Sequence, residues 1–179
     1  MTAEELLERY AAGERDFSGV EINGLKCGTR CKDLNGATLP NVIFKNAKLS
    51  RINFMDANLK GADFTNADIG YVGMDRANLE NAIFRNAQLG DVIFEQANLR
   101  YTNWYESSMR PVGFMQADLE GADFRQAHMI QTVFKRANLR HVDFTGAILG
   151  ECILTRTDLS EVIGLNPSDS FLDGMYPEG

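Results

Sequence analysis

From Leu34 to Leu159, every fifth residue is Leu, Ile, Phe, Met or Trp, at 26 positions without an exception. The stretch ANLKGADFTNADIG, residues 57–70, shows the pattern in miniature, with Leu59, Phe64 and Ile69 each preceded by Ala two positions earlier. A helix repeats near 3.6 residues and a strand at 2, so a period of five belongs to neither. Nine of the eleven Phe stand on numbers ending in 4, and from 37 to 157 the numbers ending in 7 are Ala eleven times in thirteen. A large and a small inward position thus recur in every five residues.

A chain that turns about 90° after each five residues closes a square in twenty, and such coils stack at about the 4.8 Å spacing of paired strands. Backbone groups then bond between coils, and only the two ends stay open. A twenty-residue period is visible directly. Positions 58, 78, 98, 118, 138 and 158 are all Asn or Asp, whereas 48, 68, 88, 108, 128 and 148 are Lys, Asp, Gln, Ser, His and Ile. Asn and Asp suit turns because their short side chains bond nearby backbone.

This A(D/N)LXX-type repeat resembles the pentapeptide-repeat proteins. The resemblance runs over roughly residues 15–163, and the opening LLERYAAGERDFSGVEI looks like the N-terminal segment of cyanobacterial members. It implies an all-β solenoid, a right-handed quadrilateral β-helix with a short N-terminal capping helix. It says far less about activity, because most of the family has no assigned biochemical function.

The expected organisation is a capping helix over 1–14, the β-helix over 15–163 with a register break at 28–33, and a C-terminal cap and tail over 164–179. Thr2 and Glu5 form a capping box, Leu6, Leu7 and Tyr10 share a face, and Gly13 stops a helix over 3–12. Phe17, Ile22 and Cys27 keep one phase, and Leu34 starts another two residues later, so CGTRCKD must bulge. Cys27 and Cys31, near Lys26, Arg30 and Lys32, suggest a redox pair or half a metal site. No second Cys or His cluster completes such a site, which favours a structural bulge. Phe171, Leu172 and Met175 are expected to cover the last coil.

Net charge is -7, but residues 34–160 carry fourteen acids and thirteen bases, so the coil itself is almost neutral. No run approaches the ~18 apolar residues of a membrane span, mean hydropathy is -0.25, and the acidic, amphipathic N-terminus is not a signal peptide. A cytoplasmic protein is expected, and three cysteines fit a reducing compartment. His128 and His141 fall outward on different faces. No phosphate loop, nucleophile arrangement or metal cluster appears, so no enzyme activity, cofactor or metal is expected.

The four faces differ. We number them by their central residues: face one by Phe44, Phe64 and Phe84; face two by Leu49, Ile69 and Leu89; face three by Phe54, Met74 and Phe94; face four by Leu59, Leu79 and Leu99. Face four predicts a charge ladder through Lys60, Glu80, Arg100, Glu120 and Arg140, with alternating sign. On face one, Asn46, Asn66 and Asn86 predict an amide ladder. Three bases beside Tyr105 on face one fall short of a nucleic-acid footprint. Face three departs from the polar rule: Ile93, Gly113, Val133 and Ile153 precede its centres, and Met115 follows one. This apolar strip, edged by Arg136 and Arg156, is the leading protein-binding candidate, against the simpler reading that β-branched residues favour extended backbone. Tyr101 and Tyr105, outward near one corner beside an inward Trp104, form a second candidate.

A protein-interaction module or scaffold, possibly regulatory, is therefore the favoured function, with a protein partner and a monomer or weak dimer. The alternative is a DNA-mimicking inhibitor of DNA gyrase or topoisomerase, as the resemblance implies for some members. The 26 repeats make 6.5 coils, roughly 31 Å at ~4.8 Å each, which suits a duplex turn. The near-neutral coil does not. A purely structural role stands third.

Overall fold

The computed structural model describes residues 1–24 and 34–165, and over them the period of five becomes a quadrilateral β-helix. Within each repeat the central large residue and the small residue two positions before it turn inward. Phe44, Phe64, Phe84, Phe94, Phe114 and Phe124 are fully buried, as are Ala47, Ala67 and Ala87 between them. The corner between faces two and three is a bend without a closing bond of this kind, and elsewhere the typical corner is a four-residue turn closed by bonds such as Ala47 N–H to Phe44 O at 3.1 Å. Its third residue takes a left-handed conformation, as in Asn46 (φ 57°) and Asn66 (φ 58°). Where Asn or Asp precedes the central residue, it caps the corner from outside. Asn78 and Asn98, for example, each accept the amide two residues on, at 3.2 Å.

Face two holds most of the regular strands: β1 (Glu21–Asn23), β2 (Lys48–Ser50), β3 (Asp68–Gly70), β4 (Gln88–Gly90), β6 (Ser108–Met109), β8 (His128–Ile130) and β9 (Ile148–Gly150). They form one seven-stranded parallel sheet in that order. Face three contributes β5 (Val92–Ile93) paired with β7 (Val112–Gly113). Successive pairs lie twenty positions apart, as Lys48 with Asp68. Glu21, however, pairs with Lys48, 27 positions on. Seven extra residues are thus spliced between the first coil and the next, the shift of phase the sequence implies. The bulge at 28–33, with Cys27 and Cys31, lies outside the described residues, as do Phe171, Leu172 and Met175.

The core is two aromatic stacks at right angles. Phe64, Phe84 and Trp104 stack on face one at 4.8 and 4.0 Å between ring centres, and Phe94, Phe114 and Phe134 on face three at 5.2 Å. Across the core the two columns meet edge-on, as Phe84 with Phe94 at 86°. These are the two arrangements the ring quadrupole favours. Helix α1 (Ala3–Ala11) lies over the first coil, one residue shorter than expected. Its capping box is present: Glu5 N–H donates to Thr2 Oγ1 at 3.1 Å, and Thr2 N–H to Glu5 Oε2 at 2.8 Å. Leu6 is fully buried, and the Tyr10 hydroxyl donates to Pro40 O at 2.7 Å.

Candidate protein-docking face

On face three, Asn53, Gly73, Ile93, Gly113, Val133 and Ile153 form one continuous column, each in parallel register with the next. Strand alternation sends them outward because Phe94, Phe114 and Phe134 point in. Ile93 is 50% exposed and Ile153 45%, with Val133 half-buried between them. Met115, 36% exposed, stands at the corner where face three meets face four. That corner is itself a stacked column, since Gln96 N–H donates to Met115 O and Gln116 N–H to Lys135 O, both at 3.0 Å. The apolar strip is therefore contiguous.

Arg136 and Arg156 occupy left-handed corner positions, both at φ 60°, along the edge of the strip. Both are exposed, and neither has a carboxylate or ring partner among the described residues. Other arginines are engaged. Arg76 holds Asp56 through bonds of 2.7 and 2.8 Å, which keeps that carboxyl below its ordinary range. Arg100 reaches Glu120 at 2.7 Å, Arg125 reaches Asp123 at 2.8 Å, and Arg51 lies over the Tyr71 ring at 4.9 Å.

Tyr101 and Tyr105 do not share a corner; they stand at successive corners, the two ends of face one. Tyr101 is 52% exposed, with Arg100 5.3 Å from its ring centre. Its ring also covers Gly121, where a Cβ would come within 2.6 Å of the ring edge. Tyr105 is half-buried between the guanidinium groups of Arg85 and Arg125, at 5.0 and 5.8 Å. Neither borders the face-three strip. The aromatic that does is Tyr71, 59% exposed at the corner of faces two and three. Its signal is in GYVG, a tyrosine in a corner column whose other members are Arg51, Asp91, Pro111, Gln131 and Glu151.

The face-four ladder forms in pairs. Lys60 bonds Glu80 at 3.0 Å and Arg100 bonds Glu120, but Arg140 turns the other way, to Glu161 at 2.7 Å. In the amide ladder, Asn66 donates to Asn46 at 3.2 Å. On face two, Gly70 and Gly90 leave a shallow groove of about 320 Å³, bordered by Asp68, Tyr71, Gln88 and Arg110. His128 and His141 are exposed. Cys152 fills an inward small-residue position, and burial pushes its thiol pKa up, away from reactivity. Among the described residues no group of three or more His, Cys, Asp or Glu is placed to hold a metal ion. No described helix is long and apolar enough to cross a membrane.

The fold defines a β-solenoid repeat protein built of stacked four-sided coils. The sequence matches the family description "Pentapeptide repeat region" over residues 87–163 and "Pentapeptide repeats (8 copies)" over 33–70; the chain belongs to the pentapeptide-repeat family. Among solved structures it resembles HetL of the cyanobacterium Nostoc sp. strain PCC 7120, a pentapeptide-repeat protein involved in heterocyst differentiation regulation. There the identity is 21% and the TM-score 0.53, covering 90% of this chain and 86% of HetL. It also resembles a trypsin-treated form of QnrB1, a plasmid-mediated fluoroquinolone resistance protein, at 19% identity and a TM-score of 0.56, over 90% of this chain and 87% of that one. Both likenesses are of fold. No curated protein matches the chain.

Proposed function

We propose that the protein is a non-enzymatic interaction module that binds a protein partner through face three. The observation that carries this is the contiguous column of Ile93, Gly113, Val133 and Ile153, with both isoleucines exposed, beside Met115 and two arginines that have no carboxylate partner among the described residues. The β-branched residues satisfy extended backbone wherever they stand, but that preference does not require them to line up on one face with a basic edge. HetL, with its regulatory involvement, fits such a module. The alternative is a DNA-mimicking gyrase inhibitor, which the family resemblance implies for some members, but the coil's acids are balanced by bases and several are tied up in ion pairs. That leaves little of the negative surface a DNA mimic needs.

The test compares three baits in a lysate of the source organism. One is wild type, one carries Ile93→Glu, Val133→Glu and Ile153→Glu, and one carries Gln88→Glu, Ser108→Glu and Ile148→Glu on face two. The expected result is a protein captured by the first and third baits, lost by the second, and bound again when purified. Equal capture by all three would overturn the face-three assignment, and recovery of gyrase subunits by all three would favour the alternative.

A further inference from the structure

Resting on face three as the docking face, we infer that its occupant is a second copy of this chain, packed antiparallel across a two-fold axis through the coil of Met115. Three parallel columns carry the inference, and each is self-complementary when inverted about that coil.

The first column is the apolar strip. Inverting it about Gly113 sets Ile93 against Val133 of the other copy, and Gly73 against Ile153. A bulky side chain thus meets a bare backbone position at the ends, and two moderate ones meet nearer the middle. The second column runs Asp75, Glu95, Met115, Lys135 and Thr155, stacked by the corner hydrogen bonds. Inverted about Met115, it places Glu95 against Lys135 twice, once on each side of the axis, and Asp75 against Thr155, next to Arg156, which itself faces Arg76, a cation already held by Asp56. Neither Glu95, Asp75, Lys135 nor Arg156 has an ion-pair partner within the described chain, although Asp75 and Glu95 both lie in the field of Arg76. The third column, at the opposite corner, sets the exposed Tyr71 against Glu151.

One face of a nearly neutral coil is therefore acidic towards one end, basic towards the other and apolar in the middle. That is the pattern an isologous contact requires, because every residue that meets another across the axis is met in turn by that residue's counterpart, so the two ends of the face must complement each other. A partner of uniform charge would meet one end favourably and the other unfavourably. The five coils from Gly73 to Ile153 span only about 20 Å. The patch is therefore smaller than a standard interface, and the dimer is weak and salt-sensitive.

Sedimentation velocity across protein concentrations up to about 1 mM reads the association directly. Wild type is expected to dimerise with concentration. Glu95→Lys and Lys135→Glu should each raise Kd by at least about ten-fold, the order of one lost interfacial charge pair doubled by symmetry. The reciprocal variant carrying both substitutions should recover the wild-type Kd, because every crossed pair is reversed. Met115→Cys should form an intermolecular disulfide on oxidation, and Gln88→Cys on face two should not. Circular dichroism monitors folding of each variant. A wild-type monomer at every concentration, single variants without effect, or a double variant that fails to recover would overturn the inference. A different protein captured through face three would still leave the docking reading standing.

Discussion

At the residue scale, the informative positions are those where the repeat is broken and repaired. Trp104 replaces Phe in the core stack, and its indole N–H then needs an acceptor. Thr102 stands where neighbouring coils carry Ala, accepts that N–H at 2.7 Å and passes its own proton to Leu99 O at 2.7 Å. Thr102→Val is expected to cost about 1–3 kcal/mol by orphaning a buried donor, seen as a lower midpoint in urea unfolding followed by the fluorescence of this single tryptophan. Thr132 is the converse case. Its hydroxyl is buried with no oxygen or nitrogen partner among the described residues, only the Cys152 thiol beside it, in a column otherwise Ile, Val or Cys. Thr132→Val should raise stability by ~1 kcal/mol in the same assay; a loss would mean the hydroxyl has a partner. The inward residues were fully legible in the sequence, because burial selects them one by one at a constant spacing. The left-handed corners were not. Glu106, Gln116 and Tyr71 hold φ near 57°, a conformation that only Asn, Asp and Gly advertise. Glu106→Asn should therefore stabilise by about 0.5 kcal/mol, and Glu106→Val should destabilise.

At the scale of elements, α1 closes one open end of the solenoid. Thr2→Ala removes the N-cap and should cost ~1 kcal/mol. Leu6→Ala leaves a void over the first coil and should cost about 2–5 kcal/mol, both read by thermal unfolding. The capping box was legible because it is a local signature, whereas the anchoring of Tyr10 on Pro40, thirty residues away, has no sequence signal. Between coils, Arg76 and Arg140 hold the carboxyls of Asp56 and Glu161 below their ordinary range through hydrogen bonds. A carboxyl lowered in the folded state contributes stability above its unfolded value and loses it as pH falls through the folded one. The midpoint temperature should thus drop as pH falls below about 4, and less so in Asp56→Asn. Both pairs are exposed, so the difference is small. Alternating charge on face four is legible as a pattern, but the choice of partner for Arg140 is not. Arg140 has Glu120 on one side and Glu161 on the other, and composition alone does not choose between them.

At the scale of the molecule, a square solenoid turns sequence spacing into surface columns, which is why a face can be read at all from a chain of this kind. The strip on face three was visible as spacing. Tyr71 at its border and the separation of Tyr101 from Tyr105 were not, because both depend on which residues form the corners. The central claim is that face three is covered when the protein is engaged. Hydroxyl-radical footprinting tests it most directly, comparing the dilute chain with the chain in its bound state. Protection is expected at Ile93, Met115 and Ile153, with Ile148 on face two and Tyr101 at its distant corner unchanged. Protection at Ile148 or Tyr101 with Met115 still oxidised would contradict the claim.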